Sequence, residues 1–328
     1  MLLLGPAHWY HRRSIWIALI LVVLIAFCLG VFFCLAPSHF PSGKIVKIPS
    51  GSTLTETAQI LHSHNIIRSE FFYKVAVVLI GGSKSIVMGD YAFNQPQSVL
   101  RVAYRTSNGI QDLARIKVTI PEGLSSQEIS AILVKAIPAF DGDSFRTQAK
   151  TYEGFLFPDT YYFTSATTPD DAVSAMRANF SHRVSSIQES LNLATTSVSS
   201  RKFSDIITMA SIVEKEATSS IDRRIIAGIL WKRLDAKMPL QVDPPFYYFL
   251  NKTSSQLTLN DLTVDSPYNL YVYSGLTPTP IDNPGLDAIL DTVSPTSSKF
   301  WFYLSDKNGV MHYAITFDEH IANKAHYL

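Results

Sequence analysis

The chain has 328 residues, of which 47% are hydrophobic, and a formal net charge of +1, enough for a sizeable core and more than one domain. So even a balance supplies no basic stripe to release phosphate counterions, which excludes nucleic acid as a partner bound through its backbone. Both cysteines, Cys28 and Cys34, lie within one apolar run, so the remainder has neither a disulfide framework nor a cysteine metal site.

Residues 15–36 carry no charge. At about 1.5 Å per residue they are long enough to cross a hydrocarbon core of about 30 Å. Arg12 and Arg13 precede them, and the positive-inside tendency places residues 1–14 in the cytoplasm and the chain after residue 37 outside, a single-pass arrangement at the cell membrane. A cleaved signal peptide is the competing reading. The run is longer than an ordinary signal core, however, and no small-x-small site follows it. Phe27 and Phe33 stand before the two cysteines, which argues against lipoprotein processing, so an uncleaved anchor is expected.

Residues 37–43 read as a linker of Pro, Ser and Gly. An internal repeat follows: Ile48-Pro49-Ser50-Gly51 matches Ile120-Pro121-Glu122-Gly123 at an offset of 72, and Glu56, Ile60 and Leu61 fall on Glu128, Ile132 and Leu133. Each copy predicts a strand closed by proline, a turn through glycine, and an amphipathic helix opened by Ser or Thr. Two apparent motifs here are plainer than they look. Gly82-Ser83-Lys84-Ser85 lacks the glycine spacing and Gly-Lys-Ser/Thr order of a phosphate loop, and His62 and His64 have no partners at metal-ligand spacing.

From Thr151 the chain turns to aromatic and proline clusters between helices. The segment from Glu153 to Tyr162 mixes rings with carboxylates, a pairing that suits sugars, whose C–H faces stack on rings while hydroxyls bond acids; plain core is the competing reading. Residues 170–193 read as an amphipathic helix. In the next helix, 206–217, Ile206, Ala210, Val213 and Ala217 share a face with Met209 beside them, and Ser204 is the expected N-cap. Glu214 and Glu216 fall on opposite flanks of that stripe, and Lys215 points to solvent. A carboxyl at the edge of a core holds its proton more tightly, as a general acid requires; solvated charges bordering a core helix are the alternative. Residues 221–234 predict a helix with Ile225, Ile229 and Leu230 inward and Arg223, Arg224, Lys232 and Arg233 toward water. Asn308-Gly309 sets a hairpin between 299–305 and 310–315, and 317–328 closes as a helix. His312 and His320 are expected to be structural or to line a groove.

Ala210-Ser211-Ile212-Val213-Glu214-Lys215-Glu216 resembles the signature of the YceG-like, or MltG, family of membrane-bound endolytic murein transglycosylases. Further blocks agree in order: residues 152–161 resemble the family's EGxxFPDTY segment, 240–244 its LQxDP, and 266–269, 275–276 and 283–285 its SPYN, GL and NPG pieces. Thr277-Pro278-Thr279-Pro280-Ile281 departs from the usual PPGPI, and Pro245-Phe246-Tyr247-Tyr248 from the usual run after LQxDP, which changes the expected local shape of a glycan groove.

The resemblance implies an α+β protein: an N-terminal transmembrane helix, a small LysM-like subdomain over 44–95, a connecting region with the second repeat copy over 96–150, and a mixed catalytic domain over 151–328. It implies cleavage of the β-1,4 bond between N-acetylmuramic acid and N-acetylglucosamine within peptidoglycan strands, leaving 1,6-anhydro ends, without cofactor or metal. Glu214 matches the first glutamate of the motif and is the implied acid and base. Glu153, Tyr161, Glu216, Gln241, Asp243, Tyr268 and Asn269 are the candidate substrate contacts. Implied partners are peptidoglycan strands, the membrane through one helix, and cell-wall synthases of the penicillin-binding class. A silent peptidoglycan-binding scaffold and a water-using muramidase, with Asp243 or Glu153 as second carboxylate, are the alternatives.

Overall fold

The computed structural model describes residues 7–81, 86–193, 198 and 200–328. It is a mixed α+β chain that divides into two compact units, Met1–Ala114 and Arg115–Leu328. The apparent phosphate-loop motif over 82–85 lies outside the described residues.

In the first unit, helix α1 (Ala7–Cys34) contains the 19-residue stretch Trp16–Cys34, whose mean hydropathy is 3.2 and whose residues are exposed over most of its described length. After it come β1 (Lys44–Ile48), α2 (Leu54–Ser63), α3 (Glu70–Leu79), β2 (Gly89–Phe93) and α4 (Val99–Asn108). The strands pair antiparallel, with Val46 opposite Tyr91. Val46, Ile48, Leu61, Tyr73, Tyr91, Phe93 and Val102 form the core. Arg105 is buried within this unit. Its guanidinium donates to the carbonyls of Ala92, Ile110 and Gln111 and meets Asp112 at 3.1 Å, which ties β2 to the segment after α4 and satisfies main-chain carbonyls there.

The second unit comprises β3 (Ile116–Thr119), α5 (Ser126–Ala136), α6 (Gly142–Ala149), β4 (Thr160–Phe163), α7 (Pro169–Leu193), α8 (Phe203–Glu216), α9 (Ser220–Asp235), α10 (Pro244–Leu250), α11 (Leu286–Val293), β5 (Phe302–Ser305), β6 (Met311–Ala314) and α12 (Phe317–Tyr327). Strands β3 and β4 pair antiparallel, as do β5 and β6. The Asn308-Gly309 turn forms as expected, with the Asp306 carboxylate accepting from the amides of Asn308 and Val310.

Both repeat copies fold alike. Gly51 and Gly123 take positive φ, 79° and 71°. Thr53 with Glu56, and Ser125 with Glu128, make reciprocal capping boxes at the starts of α2 and α5, which satisfy amides that a helix start leaves without carbonyls.

The structure corrects three expectations. Helix α8 begins at Phe203 after Lys202, which supplies no side-chain cap. Ser204 therefore sits inside the first turn, where its carbonyl accepts from the Thr208 hydroxyl, and Ala217 leaves the helix in an extended conformation. The apolar stripe of α8 widens to a full wrap, since every residue from Ile206 to Val213 is buried, as for a helix enclosed on all sides. On α9, Arg223 and Arg233 are buried instead of solvated: Arg223 pairs with Asp291 at 2.8 Å, and Arg233 donates to the carbonyls of Trp301 and Leu240. Arg224 does remain exposed, while Lys232 donates to the carbonyls of Ser298 and Phe300.

Candidate active site

Glu214 stands in the last turn of α8, two residues before its end, where the enclosing core opens. Two other segments meet it there. The loop before α11 brings the Gly285 amide to donate to Glu214 Oε2 at 3.0 Å. The second repeat turn is stitched to the same loop, with Gly123 N donating to Asn283 O at 2.9 Å and Asn283 N to Leu124 O at 3.0 Å. Gly123 packs so closely that a β-carbon there would lie 3.2 Å from Glu214 Cγ, and one at Gly285 would fall 2.2 Å from the Glu122 carboxyl. Glycine is required at Gly123, where φ is also positive, whereas at Gly285 the Glu122 side chain can swing aside.

These surroundings raise the Glu214 pKa. Burial is the main cause; the Gly285 amide opposes it, the Glu122 charge adds to it, and Arg223 and Lys215 pull it back. Among the described residues none donates to its other oxygen, so the carboxyl is oriented through one atom and available through the second.

Beside Glu214 lies a cavity of about 970 Å³ whose walls include Gly123, Lys215, Asp243, Tyr248, Tyr268 and Asp282. Glu214 is not itself part of the lining; it adjoins these walls through its neighbours Gly123 and Lys215. Lys215 is exposed, as its helical position requires, yet it borders this cavity instead of leaving the site. The rings of Tyr248 and Tyr268 lie 5.2 Å apart and offer apolar faces with hydroxyl edges, the surface a pyranose ring needs. Both departures from the family pattern touch this region. Pro245-Phe246-Tyr247-Tyr248 falls on α10 and gives the cavity Tyr247 and Tyr248, while residues 277–280 line a smaller cavity of about 240 Å³ that shares Glu153 with the larger one.

Of the other candidates, Glu153, Asp243 and Tyr268 reach the larger cavity. Both oxygens of Glu153 are already engaged: Oε1 accepts from Ser126 N and Asn283 Nδ2, each at 2.9 Å, and Oε2 from Ser126 Oγ at 2.7 Å. Burial nevertheless pushes its pKa up to about 7, against the pull of those donors. Asp243 accepts from the Tyr271 hydroxyl at 2.6 Å, and the Tyr268 hydroxyl pairs with Thr279.

Tyr161, Glu216, Gln241 and Asn269 do not border that cavity. Tyr161 is buried in a separate core, its hydroxyl donating to Phe157 O. Asn269 is wholly buried and clamps its own loop through the carbonyls of Leu262 and Val264 and the Tyr271 amide. Gln241 holds φ 50° on the surface and donates its amide to Leu270 O. Glu216 lies on the opposite flank, as its helical position dictates. Burial raises its pKa to about 7, while Tyr303 and Arg233 lower it and the Asp243 charge adds to the rise. His312 and His320 are structural: one meets Asp306 and stacks on Tyr327, the other stacks on Phe302.

Sequence reasoning missed Glu122, Gly123, Ser126 and Asp282. The offset of 72 between the repeat copies was the available signal for the first three. Asp282 is 1% exposed, and neither carboxyl oxygen has a hydrogen-bond partner among the described residues. Burial drives its pKa well above the carboxylate range, Lys215 opposes that, and the charges of Glu214, Glu153 and Glu128 reinforce it.

The family model described as YceG-like matches residues 46–326. The endolytic murein transglycosylase of Bacillus subtilis (strain 168) is 30% identical over 310 residues, covering 86% of this chain and 84% of that protein. The protein of the same name from Streptococcus pneumoniae (strain ATCC BAA-255 / R6) is 32% identical over 205 residues, 60% of this chain and 35% of its own length. A crystal structure of a yceG-like protein from Listeria monocytogenes superposes with a TM-score of 0.56 at 26% identity, covering 86% of this chain and 99% of that one. The chain therefore belongs to the YceG-like family.

Proposed function

We propose that this protein is an endolytic murein transglycosylase, anchored by residues 15–36, with Glu214 as acid and base. Glu214 in its acid form gives its proton to the bridging oxygen as the bond from C1 of the muramic residue breaks. The resulting carboxylate takes the proton of the 6-hydroxyl on the same sugar. That oxygen closes on C1, giving the 1,6-anhydro end and restoring the acid. One carboxyl suffices, whereas the common hydrolytic pattern uses two.

The observation that carries this reading is the half-committed carboxyl of Glu214, raised in pKa by burial and held by one backbone amide. Of the carboxylates considered for a muramidase, Glu153 is engaged through both oxygens by Ser126 and Asn283, whereas Asp243 accepts from Tyr271 through one oxygen. Asp243, on the cavity wall with only one oxygen bonded, is the observation that favours water as acceptor. Mass spectrometry of murein treated with the full-length protein decides: anhydro ends are expected, reducing ends would replace the reading by hydrolysis, and no new ends by a scaffold.

Around this chemistry, residues 44–95, a strand-helix-helix-strand piece whose core is completed by Val99, Val102 and Ala103 of α4, are assigned as the LysM-like subdomain that positions glycan. Residues 151–328 carry catalysis, with the 96–150 region contributing the Gly123 turn. The catalytic part lies on the extracytoplasmic side, where its substrate and the cell-wall synthases are.

A further inference from the structure

Helix α3 carries two apolar faces. Tyr73, Ala76 and Val77 point into the core of the first unit. Phe71, Val75, Val78 and Leu79 recur at i, i+4, i+7 and i+8, a single stripe by helical periodicity, and are 38% to 75% exposed. Exposed apolar residues scattered singly need no explanation, but a contiguous stripe at helical spacing does.

The position of α3 identifies what covers it. The outer end of α1 is fastened to this helix and the turn before it. Phe33 stacks on Phe72 at 5.6 Å, Arg68 Nε donates to Ala36 O at 2.8 Å, and the Arg68 guanidinium sits 4.1 Å over the Phe32 ring. Phe72 in turn meets Phe71 edge-on at 5.5 Å. A ladder of rings thus runs from the end of the apolar helix onto the exposed stripe. The 19 residues Trp16–Cys34 span about 28 Å at 1.5 Å per residue, close to the hydrocarbon thickness of a bilayer. Phe33 then lies at the hydrocarbon edge, and Phe71, two ring contacts away, lies within the headgroup zone. Arg68 and Lys74, on and beside the same helix, have the long cationic side chains that settle at that level.

We propose that α3 is a membrane-contacting helix, its Phe71, Val75, Val78 and Leu79 stripe seated in the lipid interface so that the first unit rests on the bilayer. The proposal rests on the reading of residues 15–36 as an uncleaved anchor. It makes the anchor a splint instead of a loose tether.

The test uses the full chain with Cys28 and Cys34 replaced by alanine, reconstituted in vesicles of phosphatidylcholine and phosphatidylglycerol. Single spin labels are placed at Val78, at Leu79, at Leu24 within the span and at Gln59 on the exposed side of α2, with folding checked by circular dichroism. Collision with oxygen, which concentrates in lipid, is compared with collision with a water-soluble nickel chelate. At Val78 and Leu79 the oxygen-to-nickel ratio is expected to exceed that at Gln59 several-fold and to approach that at Leu24. If Val78 and Leu79 match Gln59 while Leu24 reports lipid, the anchor stands and the seating of α3 is overturned. Shielding of both positions from both reagents also overturns it, in favour of a protein cover. A water-like Leu24 removes the anchor reading and this inference with it.

Discussion

The two Ile-Pro-x-Gly turns share their local structure and differ in what they touch. Gly51 and Gly123 both close a strand at positive φ and lead into a capping box. A β-carbon at Gly51 would meet nothing within 4 Å, whereas one at Gly123 would press on the side chains of Glu214 and Lys215. Local sequence therefore specifies the turn twice, and the packing partner alone makes the second copy part of a candidate active site.

The largest expected effect removes what the second turn supports. Glu214→Gln keeps the shape and loses the proton, so formation of anhydro product should fall by ~10²–10⁴ with an unchanged circular dichroism spectrum. Glu216→Gln, on the far flank, should cost much less. An active Glu214→Gln beside a dead Glu216→Gln would move the role to Glu216. The wild-type rate should also decline as pH rises through the raised pKa of Glu214, because only the protonated form starts the reaction.

Next comes the comparison itself. Alanine at either turn glycine pays a left-handed penalty of about 1–2 kcal/mol, so Gly51→Ala and Gly123→Ala should lower thermal stability to a similar degree. Only Gly123→Ala should also displace Glu214. A contact at 3.2 Å moves Glu214 by a fraction of an ångström, so turnover of Gly123→Ala should fall by less than the ~10²-fold that about 1 Å of misplacement costs, while Gly51→Ala stays near wild type. Equal turnover in the two variants would dissolve the distinction.

Glu153 offers a smaller test, of how firmly the second copy is held, because it bonds both Ser126 and Asn283. Its folded pKa of about 7 lies above the ordinary 4.5, so the folded state binds more protons over that interval. Its contribution to stability is present below about pH 4.5 and lost as pH rises through about 7. Melting curves of Glu153→Gln should therefore vary less with pH across this window than those of the wild type.

The smallest expected change is at Asp282. A buried carboxyl without a partner is costly, so Asp282→Asn should raise the melting temperature slightly, and more at pH 8 than at pH 5, as measured by calorimetry. A fall at both pH values would show that the carboxylate has a stabilising partner.

What the sequence discloses and what it hides divide along chain distance. The Ser/Thr helix starts of the repeat copies, the Asn308-Gly309 hairpin and the opposite flanks of Glu214 and Glu216 depend on neighbours within a few residues, and local patterns expose them. Arg223 and Arg233 look solvated on a helical wheel because Asp291 and the Trp301 carbonyl arrive from 68 residues away. Tyr161 and Asn269 belong to motif blocks that read as substrate contacts, yet the first serves a core and the second clamps a loop. Asp282 occupies a position that the family pattern leaves open, so neither motif nor spacing marks it. Its burial arises from the fold as a whole.

The stitch between Leu124 and Asn283 joins residues 159 positions apart, and its other strand of consequence is temporal. A ribosome delivers the chain from its N-terminus, so Glu214 is made well before the segment that orients it. Until residues 283–285 have emerged, its carboxyl has no Gly285 amide and the Gly123 turn has no carbonyl to hold. An enzyme whose substrate is the wall of its own cell is thereby built so that the cutting geometry forms only after the segment that orients its acid has been made.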